Sequence, residues 1–98
     1  MTYEDPFAPL EFDVALISSE QLLVKLTAVT NALTREYQRR SENKEQLIPT
    51  SKKDAAYASL NIERYAIDDR IRALDKKWET IGHVLYIKSA EMRMALKV

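Results

Sequence analysis

His83 is the only histidine of the chain, and it stands four residues after Glu79, so a helix would carry both on one face. A carboxylate beside an imidazole is the start of a metal site. Helical di-metal bundles, however, use Glu-x-x-His and recruit further glutamates from other helices. The spacing here differs, and His83 falls on the solvent side of the surrounding apolar pattern, so the two read as an exposed pair. Glu42 and Glu45 could form one edge of a magnesium site if a second Glu-x-x-Asp followed one helix later. The corresponding stretch is Glu63-x-x-Ala66, which lacks the second acid. The absence of cysteine removes thiolate ligands, disulfides and a cysteine nucleophile, and a single glycine cannot build a phosphate-binding loop. No second imidazole is present for a triad or relay. The sequence therefore predicts no enzyme, no metal and no cofactor.

Two groups of residues suit binding instead. Arg35, Arg39, Arg40, Lys44, Lys52 and Lys53 outnumber Glu36, Glu42 and Glu45, leaving this stretch with a net of three positive charges. With Tyr37 among them, the cations could hold phosphates while the ring stacks a base, which is the chemistry of a nucleic-acid contact. The plainer reading is a solvated helix end with Glu36 and Arg40 paired across one turn. The second group is N-terminal. Tyr3, Phe7, Leu10 and Phe12 alternate with Glu4, Asp5, Glu11 and Asp13 and with two prolines. Such an arm could enter a groove of a partner protein, since prolines reduce the entropy lost on ordering. It could equally fold back and cap its own helices.

The elements that position these groups follow from composition and periodicity. Ninety-eight residues and 11.3 kDa make one small domain; 31% are charged and 46% hydrophobic, which excludes both a disordered chain and a membrane span. Fifteen basic and fifteen acidic residues cancel, so any electrostatic partnership must be local. No basic segment followed by an apolar run opens the chain, so a cytoplasmic setting without a membrane partner is expected. Pro6 and Pro9 disfavour helix before Leu10, giving an extended arm over 1–17. Ser18 with Gln21 forms a capping-box pattern, and Leu22, Leu23, Leu26, Val29, Leu33 and Tyr37 make one stripe, predicting a helix over about 18–46.

Residues 47–50 form the link, and Ser51 with Asp54 reads as a second capping box opening a helix over about 51–97. Its heptad seam runs through Leu60, Ile67, Ile71, Leu74, Trp78, Ile81, Leu85 and Met92, interrupted at Arg64 and Lys88. Gly82 could kink this helix, but the seam keeps its phase across it and predicts continuity. The predicted fold is all-α, a long antiparallel coiled-coil-like hairpin. At about 1.5 Å per residue the second helix reaches about 70 Å against about 43 Å for the first. Setting Gln46 beside Lys52 places Ser19 opposite about Glu79, leaving everything from Ile81 onward without a partner. A hairpin also leaves half of each stripe exposed. The seam is thus expected to pair with a second copy, as a homodimer or higher oligomer completing a helical bundle. The function expected is a non-enzymatic protein-binding module: an adaptor, assembly factor or inhibitor of the kind bacteriophages encode. The alternative is a nucleic-acid accessory protein that uses the basic tip.

Overall fold

The computed structural model describes residues 4–96. Tyr3 of the predicted arm and residue 97 at the end of the predicted second helix lie outside that range. Helix α1 spans Ser19–Leu47. It begins where the Ser18 Oγ accepts the Gln21 N–H at 3.1 Å and the Gln21 Oε1 accepts the Ser18 N–H at 2.9 Å, so two backbone donors are satisfied reciprocally. Helix α2 spans Ala55–Leu96 and passes through Gly82 without a break. The two form a rod of 67 × 26 × 18 Å. Among the described residues there are no strands.

The link is longer than the sequence indicates. The Thr50 Oγ1 donates to the Gln46 carbonyl at 2.6 Å, and the Asp54 N–H reaches back to the Ser51 carbonyl at 2.9 Å. These turns consume Ser51–Asp54 before any helix starts. Asp54, not Ser51, caps α2, its Oδ1 accepting the Ala56 N–H at 2.9 Å. The later start moves the register. Asn43 lies beside Leu60, Arg40 beside Asp68 and Glu36 beside Arg70. Ile17, Ser18 and Ser19 face Lys88, Glu91 and Met92. Most of the predicted overhang therefore disappears: Ile81 and Val84 are buried and Leu85 and Ile87 half-buried, while Tyr86, Met92, Met94 and Leu96 stand exposed.

The core is two facing columns. Leu22 and Val29 on α1 recur in heptad steps, as do Ile67, Leu74 and Ile81 on α2, and all five are buried. The predicted seam is thus spent largely inside the hairpin, because the lengthened link brings the whole of α1 against it. Ile67, Ile71, Leu74 and Ile81 are enclosed, Leu60 and Leu85 half-buried, while Trp78 and Met92 remain outward.

The arm is not extended throughout. Asp5 Oδ1 accepts the Phe7 N–H and Asp13 Oδ1 accepts the Ala15 N–H, each at 2.9 Å, so an aspartate starts each of two turns. It folds back on the hairpin. Pro6 and Ile17 are buried, Leu10 and Phe12 pack against the core, and Phe7 stays about half exposed. A Cβ added at Gly82 would meet nothing within 4 Å. Gly82→Ala should therefore raise the unfolding free energy by about 1 kcal/mol, the helix-propensity difference, in urea titrations of dilute protein. A loss of stability would show that this position is already in close contact with another surface.

Candidate functional site

Three features of the rod carry polar or exposed groups that the core does not need. The first is a buried carboxylate. Glu36 continues the heptad column of Leu22 and Val29, which places a charged residue at a core position. It is 1% exposed. Arg39 Nη1 meets its Oε1 at 2.7 Å, and Arg70 Nε, from α2, meets its Oε2 at 2.9 Å. The pairing of Glu36 with Arg40 expected from spacing does not form; Arg40 reaches across to Asp68 at 3.2 Å. A buried acid needs its charge answered by more than one donor, and Arg39 and Arg70 supply two.

The second feature is a cleft of about 660 Å³ at the hairpin tip. It brings together Arg40, Lys44 and Lys52 of the predicted basic group and adds Arg64. Tyr37 and Tyr57 form part of its wall, and among the described residues no carboxylate does. Arg35, Arg39 and Lys53 are not in it; Arg35 and Arg39 share the opposite side of α1, where Arg39 serves Glu36. Asn43, one heptad after Glu36, also lies in the wall and is 2% exposed. Its Nδ2 donates to the Leu60 carbonyl at 2.9 Å, while its Oδ1 is buried with no hydrogen-bond partner among the described residues. Periodicity offered a signal for both residues that the apolar reading passed over: Leu22, Val29, Glu36 and Asn43 are one unbroken heptad column.

The third feature is the difference between the two sides of the rod. On one side the arm is clamped by a lysine from each helix. Lys25 Nζ meets Glu4 at 2.6 Å, and Lys77 Nζ donates to the carbonyls of Pro6, at 2.9 Å, and Ala8. Between them the arm passes over Val29 and Ile81. On the other side helical spacing aligns Leu23, Leu26, Thr30, Leu33 and Tyr37 of α1 alongside Ile71, Trp78 and Leu85 of α2. Leu23 is 52%, Tyr37 47% and Trp78 45% exposed. His83 and Glu79 are exposed, and no group of three metal-ligating side chains gathers among the described residues. No described helix is long and apolar enough to cross a membrane.

Comparison of the chain with protein-family models, curated proteins and solved structures gives no match.

The Glu36 cluster makes a graded prediction. Arg70→Ala should lower the unfolding free energy by about 2–4 kcal/mol, because it leaves a buried carboxylate with one half-exposed donor. Arg39→Ala, at a half-exposed side chain, should cost less than about 1 kcal/mol, with Glu36→Ala between the two, since it removes the buried charge and leaves cations that water reaches. Urea unfolding followed by far-ultraviolet circular dichroism measures the ranking; equal costs for Arg70 and Arg39 would mean that the carboxylate is hydrated in solution.

Proposed function

We propose that the protein is a non-enzymatic binding module that works as a self-associated helical hairpin, two copies meeting through the uncovered side around Leu26 and Trp78. The observation that carries this reading is how little charge that side holds. From Gln21 to Thr34 helix α1 has one charged residue, Lys25, and Glu4 holds it on the arm side. The hydroxyl of Thr30 donates to the Leu26 carbonyl at 2.8 Å, so its hydrogen is spent within the helix. What remains is leucine and threonine facing a half-exposed tryptophan. Depletion of charge together with an aromatic anchor distinguishes the centre of an interface from ordinary surface.

A second copy fits this patch because the patch spans both helices at one level. A hairpin laid across it would bury both rows, and two-fold symmetry makes the contact self-complementary and closed. Four helices would then share one core. With the symmetry axis near Trp78, the two basic tips project at opposite ends and the two arms stay on the outer faces. Such an assembly acts by contact, as an adaptor, assembly factor or inhibitor that holds two tips at a fixed separation.

Light scattering across a dilution series tests the reading. The wild-type chain should scatter as two or more copies of 11.3 kDa. Trp78→Glu should weaken association by about 30-fold or more, the loss expected of an interface anchor, while helix content is retained. A wild-type protein that stays at one chain mass up to about 1 mM, where the binding free energy is only about 4 kcal/mol, overturns the proposal.

A further inference from the structure

The cleft at the hairpin tip has a composition that the fold does not require. Four cations from three segments line it: Arg40 and Lys44 from α1, Lys52 from the link and Arg64 from α2. Among the described residues Lys44, Lys52 and Arg64 make no ion pair, and Arg40 uses its Nε on Asp68. Converging cations without a carboxylate in the wall repel one another unless an anion sits between them. Two tyrosines supply flat faces, Tyr37 about half exposed and Tyr57 half-buried. The third component is Asn43. An amide oxygen that is buried and unpartnered costs stability, and it calls for a donor. A bare phosphate or a carboxylate would answer the cations but offers that oxygen nothing. A ligand that answers all three needs an anionic group, an aromatic ring and an N–H. A volume of about 660 Å³ lies within the range of small-ligand sites.

We infer that the tip cleft binds a nucleotide: its phosphates held by Lys44, Lys52 and Arg64, its base against Tyr37 or Tyr57, and a base N–H donated to the Asn43 Oδ1. The nucleotide could be free or belong to a single strand, since both present the same groups. The cleft shares Tyr37 with the uncovered side, but its cations and Asn43 lie nearer the tip than Leu26 and Trp78, and oligomeric state and nucleotide binding are read by different measurements, so the two proposals fail separately.

The experiment titrates the full chain with AMP, ATP and inorganic tripolyphosphate by calorimetry, and with a fluorescein-labelled single-stranded DNA oligonucleotide by anisotropy. Binding of a mononucleotide identifies a free ligand, and binding of the oligonucleotide alone identifies a strand; either upholds the cleft as a nucleotide site. Lys44→Glu and Arg64→Glu should each weaken binding about tenfold or more, as loss of a charge-assisted hydrogen bond does. Arg35→Glu makes the same charge change on the opposite side of α1 and should leave binding nearly unchanged. Asn43→Leu should raise the melting temperature by removing the unpartnered oxygen, yet weaken nucleotide binding and spare tripolyphosphate. Three results overturn the inference: no binding of any nucleotide or strand, tripolyphosphate binding as tightly as ATP, or Arg35→Glu costing as much as Lys44→Glu.

Discussion

The register between the two helices depends on a charge held out of water. Glu36 occupies a core position of α1, and its carboxylate is stable there only when Arg70 of α2 stands beside it. Sliding α2 by one heptad in one direction would bring Glu63 to that place, setting two acids together. Sliding it in the other would bring Lys77, which would then be withdrawn from the arm. The apolar columns alone would tolerate the first slip, because Leu60, Ile67 and Leu74 would take the places of Ile67, Leu74 and Ile81, whereas the second would also bring Lys88 to the place of Ile81. Buried polar groups add little net stability to a core, but here they select one alignment from several that hydrophobic packing allows.

That alignment decides what each side of the rod can do. It brings Lys25 and Lys77 level, so that a single arm can be clamped by both helices. It also brings Leu26 level with Trp78 on the other side and sets Tyr37, Arg40 and Lys44 against Tyr57 and Arg64 at the tip. Along the rod the buried column changes from Leu22 and Val29 to Glu36 and Asn43. Apolar packing is therefore concentrated at the end that the arm covers, and polar groups gather at the end that the link closes.

Much of this was legible in residue spacing. The capping box at Ser18, the stripe of α1 and the continuity of α2 through Gly82 all follow from local rules, since each depends on residues within a few turns. The link is not legible, because Ser51 and Asp54 satisfy a capping pattern in sequence while the backbone instead closes a turn between them. A few residues in the link shift the whole register of a hairpin, and here they bring most of α2 beyond Ile81 against α1 and the arm. The basic group was recognised by composition, but composition does not separate the two sides of a helix. Arg39 and Arg40 are neighbours in sequence and belong to different sites, one answering Glu36 and the other lining the cleft. Asn43 and Glu36 are polar and so stand outside the apolar stripe, although their heptad spacing from Val29 marks them.

Positions where a chain departs from its own local optimum are informative about what it is built to contact. Four such departures stand out, and none improves the isolated hairpin. Gly82 places the poorest ordinary helix former inside a long helix with open space beside it. Trp78 leaves a large ring half in water on the seam. Asn43 buries an oxygen without a partner among the described residues. The four cations of the tip cleft converge with no acid among them. Gly82 and Trp78 share the uncovered side, one turn apart on α2, and Asn43 shares the cleft with the cations. The departures thus fall into two clusters and not at random along the rod. One cluster is apolar, and the other joins cations and aromatic rings to a buried amide oxygen. A hairpin under selection for stability alone would have no reason to keep them apart in this way.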